Sequence, residues 1–403
     1  MKWLFLAGFV FSFGSASVAY AGNDCTDTYE QIKNQQFEEP PVFGLSMFDT
    51  AVEMLGLDSE SKAGVYGGMG FIYHFGKANI PKNDQKSLEY FNKAASIESK
   101  FSLCISEIGE RFLKGYGEEK DVHKGIKWLK EAAIYDSKIQ LRLGIIYDNG
   151  IGVPVDRTQA VYWYEKSAKN NNAKAQFALA KMYDQGIGVN QNFLKATRLY
   201  KKVCAVEAQA CFYVGVMYDK GRGVRQDKHK ASQLYQKSCN AGFSSGCFDL
   251  AVMYDNGRGV QKDEHQAAQL FKSACDLGSG TGCYNLAVRY SHGNGVRQDK
   301  HKADQLYKRA CNEGDGTACL NVGVHYAKGL GVRKDQVKAT QFYKKSCDAG
   351  EAAGCVNLGV MYYNGTGVRQ DQYKAKTLFA TACNKGSEKG CENSRILTSR
   401  GVE

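Results

Sequence analysis

One tyrosine recurs through most of this chain at a nearly constant interval, and this period constrains the fold more than any other feature. Successive copies lie 36 or 35 residues apart, and a Gly-x-Gly-Val sequence follows each one. The copies are Tyr147, Tyr183, Tyr218, Tyr254, Tyr290, Tyr326 and Tyr362. Two looser copies precede them, around residues 73 and 112. A period of this length is typical of stacked repeats, because one repeat cannot bury its apolar face alone.

Each copy of the repeat reads as two helices. Leu250 and Ala251 lie near Tyr254 on one apolar face of the first helix, and the glycine loop then ends that helix. An aspartate follows the loop and can cap the second helix, as at Asp299. The sequence therefore predicts an all-α fold, a right-handed α-solenoid of about nine helix-turn-helix repeats.

The chain divides into four predicted segments. Residues 1–21 have the charged start, apolar run and Ala19-Tyr20-Ala21 cleavage site of a signal peptide. Residues 22–62 contain no copy of the repeat, and we expect them to cap its first copy, with disorder as the alternative. Residues 63–392 form the solenoid and residues 393–403 a polar tail. We expect an exported protein, periplasmic or secreted, with no transmembrane segment after signal cleavage.

The chain has fourteen cysteines, and twelve of them form pairs seven or eight residues apart. Each pair joins the end of one second helix to the start of the next first helix. The pairs are Cys204 with Cys211, Cys239 with Cys247, Cys275 with Cys283, Cys311 with Cys319, Cys347 with Cys355 and Cys383 with Cys391. Zinc ligands usually lie closer together in sequence. The spacing therefore predicts six local disulfides and an oxidising compartment.

The other two cysteines, Cys25 and Cys104, have no local partner. A bridge between them would tie the N-terminal segment to the second repeat, and the sequence leaves this pairing open. Gln140 and Gln176 occupy the first-helix cysteine position in the third and fourth repeats. We therefore expect the N-terminal half of the array, which lacks these junction bridges, to be less rigid than the C-terminal half.

The repeat resembles the Sel1-like repeat, a relative of the tetratricopeptide repeat with a longer glycine loop. Residues 296–332 carry the resemblance: VRQDKHKADQLYKRACNEGDGTACLNVGVHYAKGLGV. The paired cysteines resemble those of the secreted Helicobacter cysteine-rich protein family. The resemblance implies a scaffold whose concave surface binds other proteins, in the bacterial envelope or among host factors. It also implies an alternative, a penicillin-binding protein or weak β-lactamase.

The sequence lacks the full motif set of a serine β-lactamase, so any catalytic residues stay unknown and an enzyme activity rests on resemblance alone. The Lys-Thr-Gly motif of serine β-lactamases is missing. His229, His265 and His301 share one repeat position and could form a ladder, or simply belong to a solvated face. The Gly-x-Gly-Val loops follow helices, so we interpret them as turns and not as dinucleotide sites. We predict no cofactor and no metal.

The formal net charge of +11 points to acidic partners. Four arginines follow glycine loops, and four lysines lie early in second helices, so stacking would align each set into a stripe. These residues are Arg225, Arg297, Arg333 and Arg369, and Lys230, Lys302, Lys338 and Lys374. We expect a protein partner with an acidic surface. Anionic lipid headgroups, envelope polysaccharides and a β-lactam or cell-wall ligand are the alternatives. A solvated face is the plainer interpretation of the stripes, and export argues against nucleic acid.

One position in the first helices varies while its neighbours stay constant. Its residues are Met217, Met253, Arg289, His325 and Met361. Since variation at a packing position would disturb the core, we predict that Arg289, His325 and Met361 lie on the partner-binding surface.

Overall fold

The structure, a computed structural model, describes residues 52–53, 57–76, 81–98, 101–115 and 119–402. These residues contain nineteen α-helices and no β-strand, which confirms the all-α repeat fold. The predicted signal peptide, most of the predicted cap and Cys25 lie outside the described residues. Within the described part of the chain, none of the helices combines the length and apolar character needed to cross a membrane.

The helices alternate between first helices, which carry odd numbers, and second helices, which carry even numbers. In the first 192 residues they are α1 Ser59–Phe75, α2 Asp84–Ile97, α3 Phe101–Lys114, α4 Val122–Ala132, α5 Ser137–Asn149, α6 Arg157–Lys169 and α7 Ala173–Gln185. From residue 193 they are α8 Phe193–Val203, α9 Ala208–Lys220, α10 Lys228–Asn240, α11 Ser244–Asn256, α12 Glu264–Asp276, α13 Gly280–His292, α14 Lys300–Asn312, α15 Gly316–Lys328, α16 Gln336–Asp348, α17 Ala352–Asn364, α18 Gln372–Asn384 and α19 Glu388–Ser399.

The chain forms two compact units, residues 1–192 and residues 193–403. Within each unit every described helix packs against the next one along the chain. The boundary between the units lies inside the predicted solenoid segment 63–392. Its predicted end at residue 392 falls inside α19. Leu397 in that helix is 3% exposed and packs with Phe379 of α18, so the last turns of the chain cover an apolar face.

The two glycines of the Gly-x-Gly-Val loop have different tasks. Gly257 ends α11 in the left-handed conformation, and its N–H donates to the carbonyl of Met253. Gly259 is also left-handed, and it lies against the first turn of α10. A Cβ added there would lie 2.5 Å from the carbonyl oxygen of Lys228. Gly259 is therefore a contact point between repeats, where a side chain does not fit.

All six predicted local disulfides are present, one at each junction of the second unit. They join Cys204 to Cys211, Cys239 to Cys247, Cys275 to Cys283, Cys311 to Cys319, Cys347 to Cys355 and Cys383 to Cys391. The two Cα atoms of each pair lie 4.5 or 4.6 Å apart, within the usual range for a bridge. Each bridge thus ties the end of one second helix to the start of the next first helix.

The junctions of the first unit are held differently. Cys104 is disulfide-bonded, but its candidate partner Cys25 lies outside the described residues. The third and fourth repeats use a buried amide in place of sulfur. The side-chain N–H of Gln140 donates to the carbonyl of Ala133 at 2.7 Å, and that of Gln176 to the carbonyl of Ala168 at 3.0 Å.

Candidate partner-binding face

The predicted contact position is turned into the packing between helices. Arg289 and Met361 are each 7% exposed, and Met217 and Met253 are buried completely or almost so. This placement corrects the prediction of an exposed surface at Arg289 and Met361. His325 is half-buried. The position tolerates variation because each polar residue there has a partner inside the fold.

Arg289 contacts groups on two neighbouring helices. Its Nη2 lies 2.8 Å from Oδ1 of Asp255 in α11, and its guanidinium lies over the ring of Phe271 at 4.9 Å from the centroid. A buried guanidinium needs such a carboxylate, since an unpaired charge is strongly disfavoured inside a protein. The ion pair and the ring contact together let arginine occupy a site that holds methionine elsewhere.

His325 is paired with a buried carboxylate. Its Nδ1 lies 3.2 Å from Oδ1 of Asp304, and the other carboxylate oxygen lies 2.6 Å from Nζ of Lys308. Asp304 is 1% exposed. Burial alone would raise the pKa of Asp304, but hydrogen bonds from His325 and Lys308 outweigh it and hold the pKa below its usual value. This cluster links α14 to α15.

Two other rows of side chains face outward from the first helices of the second unit. They lie three residues apart, so they share one helix face, which we call the Val/Asn face. Its members are half-buried, apart from the more exposed Val360. They are Val216, Val252, Val288, Val324 and Val360, and Tyr213, Asp249, Asn285, Asn321 and Asn357. First helices of neighbouring repeats are in contact, for example α9 with α11 and α15 with α17. The face therefore continues from one repeat to the next.

The sequence did not single out the Val/Asn face, because the residues at its two positions hardly vary from repeat to repeat. Constant residues of a repeat usually serve packing, and the valines do pack with one edge against the core. The asparagines gave the better signal. An amide kept at one position in three successive first helices has no role in an apolar interface.

Asp249 is the one carboxylate in these two rows. Burial and the nearby charge of Asp219 raise the pKa of Asp249 to about 6. Asp219 itself is held by Arg258, whose Nη2 lies 2.9 Å and 3.0 Å from the two carboxylate oxygens. Because the following repeats have asparagine at this position, the face needs a polar group there and not a charge.

The predicted lysine stripe lies over aromatic rings. Nζ of Lys302 lies 4.4 Å from the ring centroid of Tyr290, and Nζ of Lys374 lies 4.5 Å from that of Tyr362. Lys230 and Lys338 make the same contact at 5.7 Å and 5.4 Å. Each lysine thus packs on the register tyrosine of its own repeat, which holds the ammonium groups in a regular row.

The three histidines at one repeat position do not gather into a metal site. Nδ1 of His229 lies 3.3 Å from the carbonyl oxygen of Gly259, and that of His265 lies 3.1 Å from the carbonyl oxygen of Gly295. His229 and His265 thus contact the loop of the next repeat. Among the residues that the structure describes, no group of three or more His, Cys, Asp or Glu side chains could hold a metal ion.

Comparison with known proteins identifies the repeat. The Sel1 repeat family matches nine segments, which together span most of the chain: residues 67–97, 102–134, 138–172, 173–205, 208–243, 244–279, 281–315, 316–351 and 352–387. No curated protein sequence matches the chain.

Three solved structures are similar to this chain to different degrees. A Sel1 repeat protein from Oxalobacter formigenes is 25% identical over 78% of this chain and 90% of its own, with a TM-score of 0.68. The protective antigen c5321 of uropathogenic Escherichia coli is also 25% identical, over 89% of this chain and 91% of its own, with a TM-score of 0.42. Helicobacter pylori cysteine-rich protein B is 36% identical over 32% of this chain and 94% of its own, with a TM-score of 0.28.

Proposed function

This chain belongs to the Sel1 repeat family, and from that membership we propose that it is an exported scaffold that binds another protein through the Val/Asn face of residues 193–403. Sel1 repeats generally bind proteins. The observation that carries the proposal is the repetition of two outward rows in five first helices, where core packing requires only one edge of the valines.

The chemistry of the face suits an extended segment of a partner. Such a segment presents backbone N–H and C=O groups, and an asparagine amide can both donate to them and accept from them. The valine row, such as Val288 and Val324, offers half-buried methyl groups to the partner's apolar side chains. Rows that repeat with the solenoid favour a partner that also runs along several repeats.

The six disulfides indicate an oxidising compartment, where such bonds form and persist. We propose that residues 1–21 direct the chain there and are removed after Ala21, which intact mass of the exported protein would test. The envelope and the host are both candidate places for the partner. Nothing in the described residues favours β-lactam binding or hydrolysis over protein binding.

The test is partner capture followed by a direct measurement. The oxidised protein is used to capture partners from envelope and host extracts, and each captured protein is then purified and titrated. The face variant Asn285→Ala, Asn321→Ala, Asn357→Ala should bind at least roughly tenfold more weakly, since each lost hydrogen bond is worth about 1 kcal/mol. Equal binding by this variant and the wild type would refute the assignment of the face.

A matched control comes from the second helices. The exposed amides of Gln233, Gln269 and Gln305 also recur once per repeat. Each lies beside a histidine of its own helix. Their replacement by alanine removes three amides from a different side of the array, and it should leave the affinity for the partner unchanged.

A further inference from the structure

Positive charge is concentrated in one unit and in one set of helices. Residues 193–403 contain 32 Lys and Arg against 19 Asp and Glu, a formal charge of +13, whereas residues 1–192 contain 21 against 23. In the second unit, the second helices from α8 to α18 contain 17 Lys and Arg against 4 Asp and Glu. The first helices from α9 to α19 contain 5 against 5. The net charge therefore belongs to the side of the array that is not the Val/Asn face.

Much of this charge lies in five short, exposed segments, which we call the basic ridge. Each runs from the end of a glycine loop into the first turn of a second helix. They are residues 225–230, 261–266, 297–302, 333–338 and 369–374. Their twelve Lys and Arg are all exposed, against six Asp and Glu. Five of those six are helix N-caps that accept a backbone N–H, so the positive helix end offsets their charge.

Direct contacts make the ridge continuous from repeat to repeat. The loop that leads into each segment rests on the segment before it. Gly259 lies against Lys228, and Gly367 lies against Gln336 at the start of α16. His229 and His265 reach the carbonyl oxygens of the next glycine loops. The cations of successive segments are thus held side by side.

The ridge also exposes apolar and aromatic side chains among its cations. Val337 is 55% exposed and Tyr373 is 65% exposed, and both occupy the position that holds His229, His265 or His301 in the other segments. Lys338 and Lys374 follow them directly. The ridge therefore combines exposed apolar surface with the cations next to it.

The residue types favour a lipid surface over a protein or a soluble polyanion. Eight of the twelve basic residues in the ridge are Lys and four are Arg. Protein interfaces are depleted in Lys and enriched in Arg, which binds carboxylates in a fixed geometry. Lysine acts as a hydrated point charge and suits diffuse attraction. A soluble polyanion would leave Val337 and Tyr373 without a role, whereas a membrane interface accepts both types of side chain.

We propose that the basic ridge docks this protein on the surface of an anionic phospholipid bilayer. Its Lys and Arg side chains pair with the phosphate headgroups, and Val337 and Tyr373 enter the boundary between headgroups and acyl chains. The proposal concerns a different side of the array from the Val/Asn face and does not rest on the proposed function. A docked molecule would keep the Val/Asn face available for a partner.

The test is flotation of the oxidised mature chain, residues 22–403, with vesicles of phosphatidylcholine, alone or mixed in equal parts with phosphatidylglycerol. The ridge variant is Arg225→Gln, Arg297→Gln, Arg333→Gln, Arg369→Gln. The control variant, Lys220→Gln, Lys328→Gln, Lys385→Gln, Lys389→Gln, removes the same charge outside the ridge. We expect binding to the anionic vesicles only, weakened at least roughly 100-fold in the ridge variant, because each basic residue near such a surface contributes about 1 kcal/mol. The control should bind within about threefold of the wild type, and salt should release all three.

A further variant, Val337→Ser with Tyr373→Ser, separates lipid from polyanion binding. It should weaken vesicle binding about tenfold and leave binding to dextran sulfate unchanged. Three results would each overturn the proposal: no binding to the anionic vesicles at low salt, equal losses in the ridge and control variants, or vesicle binding unaffected by the serine substitutions. Circular dichroism melting checks that every variant is folded.

Discussion

Replacement of Gly259 by alanine should destabilise the second unit far more than the same change at Gly278. Both glycines are left-handed, with φ of +72° and +86°. Both changes therefore carry the cost of a left-handed alanine, about 1–2 kcal/mol, and both gain the same small amount from a less flexible unfolded chain. These terms cancel in the comparison, so the difference between the two variants measures the contact alone.

The contact differs completely at the two sites. A Cβ at Gly278 would have nothing within 4 Å, whereas a Cβ at Gly259 would lie 2.5 Å from the carbonyl oxygen and carbon of Lys228. Real Cβ contacts are essentially never shorter than 3.0 Å, so the loop must move by at least 0.5 Å away from α10. Backbone cannot swing aside as a long side chain can. Overpacking of this kind costs about 1–3 kcal/mol.

Urea denaturation followed by circular dichroism measures the difference. We expect Gly259→Ala to lose about 2 kcal/mol more than Gly278→Ala, with an unchanged dependence on urea concentration. Equal losses would refute the argument, because the second glycine would then be needed for its left-handed backbone and not for contact between repeats.

Three other changes test the charged groups and the junctions. Because the pKa of Asp249 is raised in the folded protein, the folded state loses stability as the pH rises from about 4 to about 6. Asp249→Asn should therefore stabilise the protein by about 1 kcal/mol at pH 7.5, a value that allows for the partial exposure of the carboxylate. Near pH 4 the same substitution should have no effect on stability. Urea titrations at the two pH values check this, and a pH-independent gain would contradict it. His325→Met should cost about 1–3 kcal/mol, because it removes a hydrogen-bond donor from buried Asp304. The double variant with Asp304→Ser copies the pair Ser232 and Met253 of another repeat and should recover most of that loss, whereas additive losses would rule out coupling. Reduction should speed amide hydrogen exchange in residues 204–391 more than in residues 119–192, and equal acceleration would contradict the role of the six junction disulfides.

The helices and the disulfides could be predicted because each depends on a few residues at fixed spacing. The glycine that follows Tyr254 and the aspartate that caps α12 define the ends of two helices without any knowledge of the tertiary contacts. A junction that closes between Cys239 and Cys247 is equally local. Such features recur once per repeat, so a single register determines all of them.

The orientation of the variable position could not be read in the same way. Arginine and histidine at a first-helix position usually indicate a solvent-exposed surface. The carboxylates that allow their burial here, Asp255 and Asp304, lie in other helices. A hint was present, since Asp304 stands where Ser232 and Thr340 stand in other repeats. The change to a carboxylate accompanies the change to His325, but that link becomes visible only when the two side chains are seen together.

The two kinds of junction imply an order of assembly. The hydrogen bonds of Gln140 and Gln176 form as soon as their helices pack, since they need no oxidant. The disulfides from Cys204 onward form only after electrons have been removed from twelve thiols. A chain that enters an oxidising compartment N-terminus first can therefore complete its glutamine junctions while its later cysteines are still reduced. Each cysteine then waits for a partner only eight residues away, or seven in the first pair, so early oxidation favours the native bridge over a distant one.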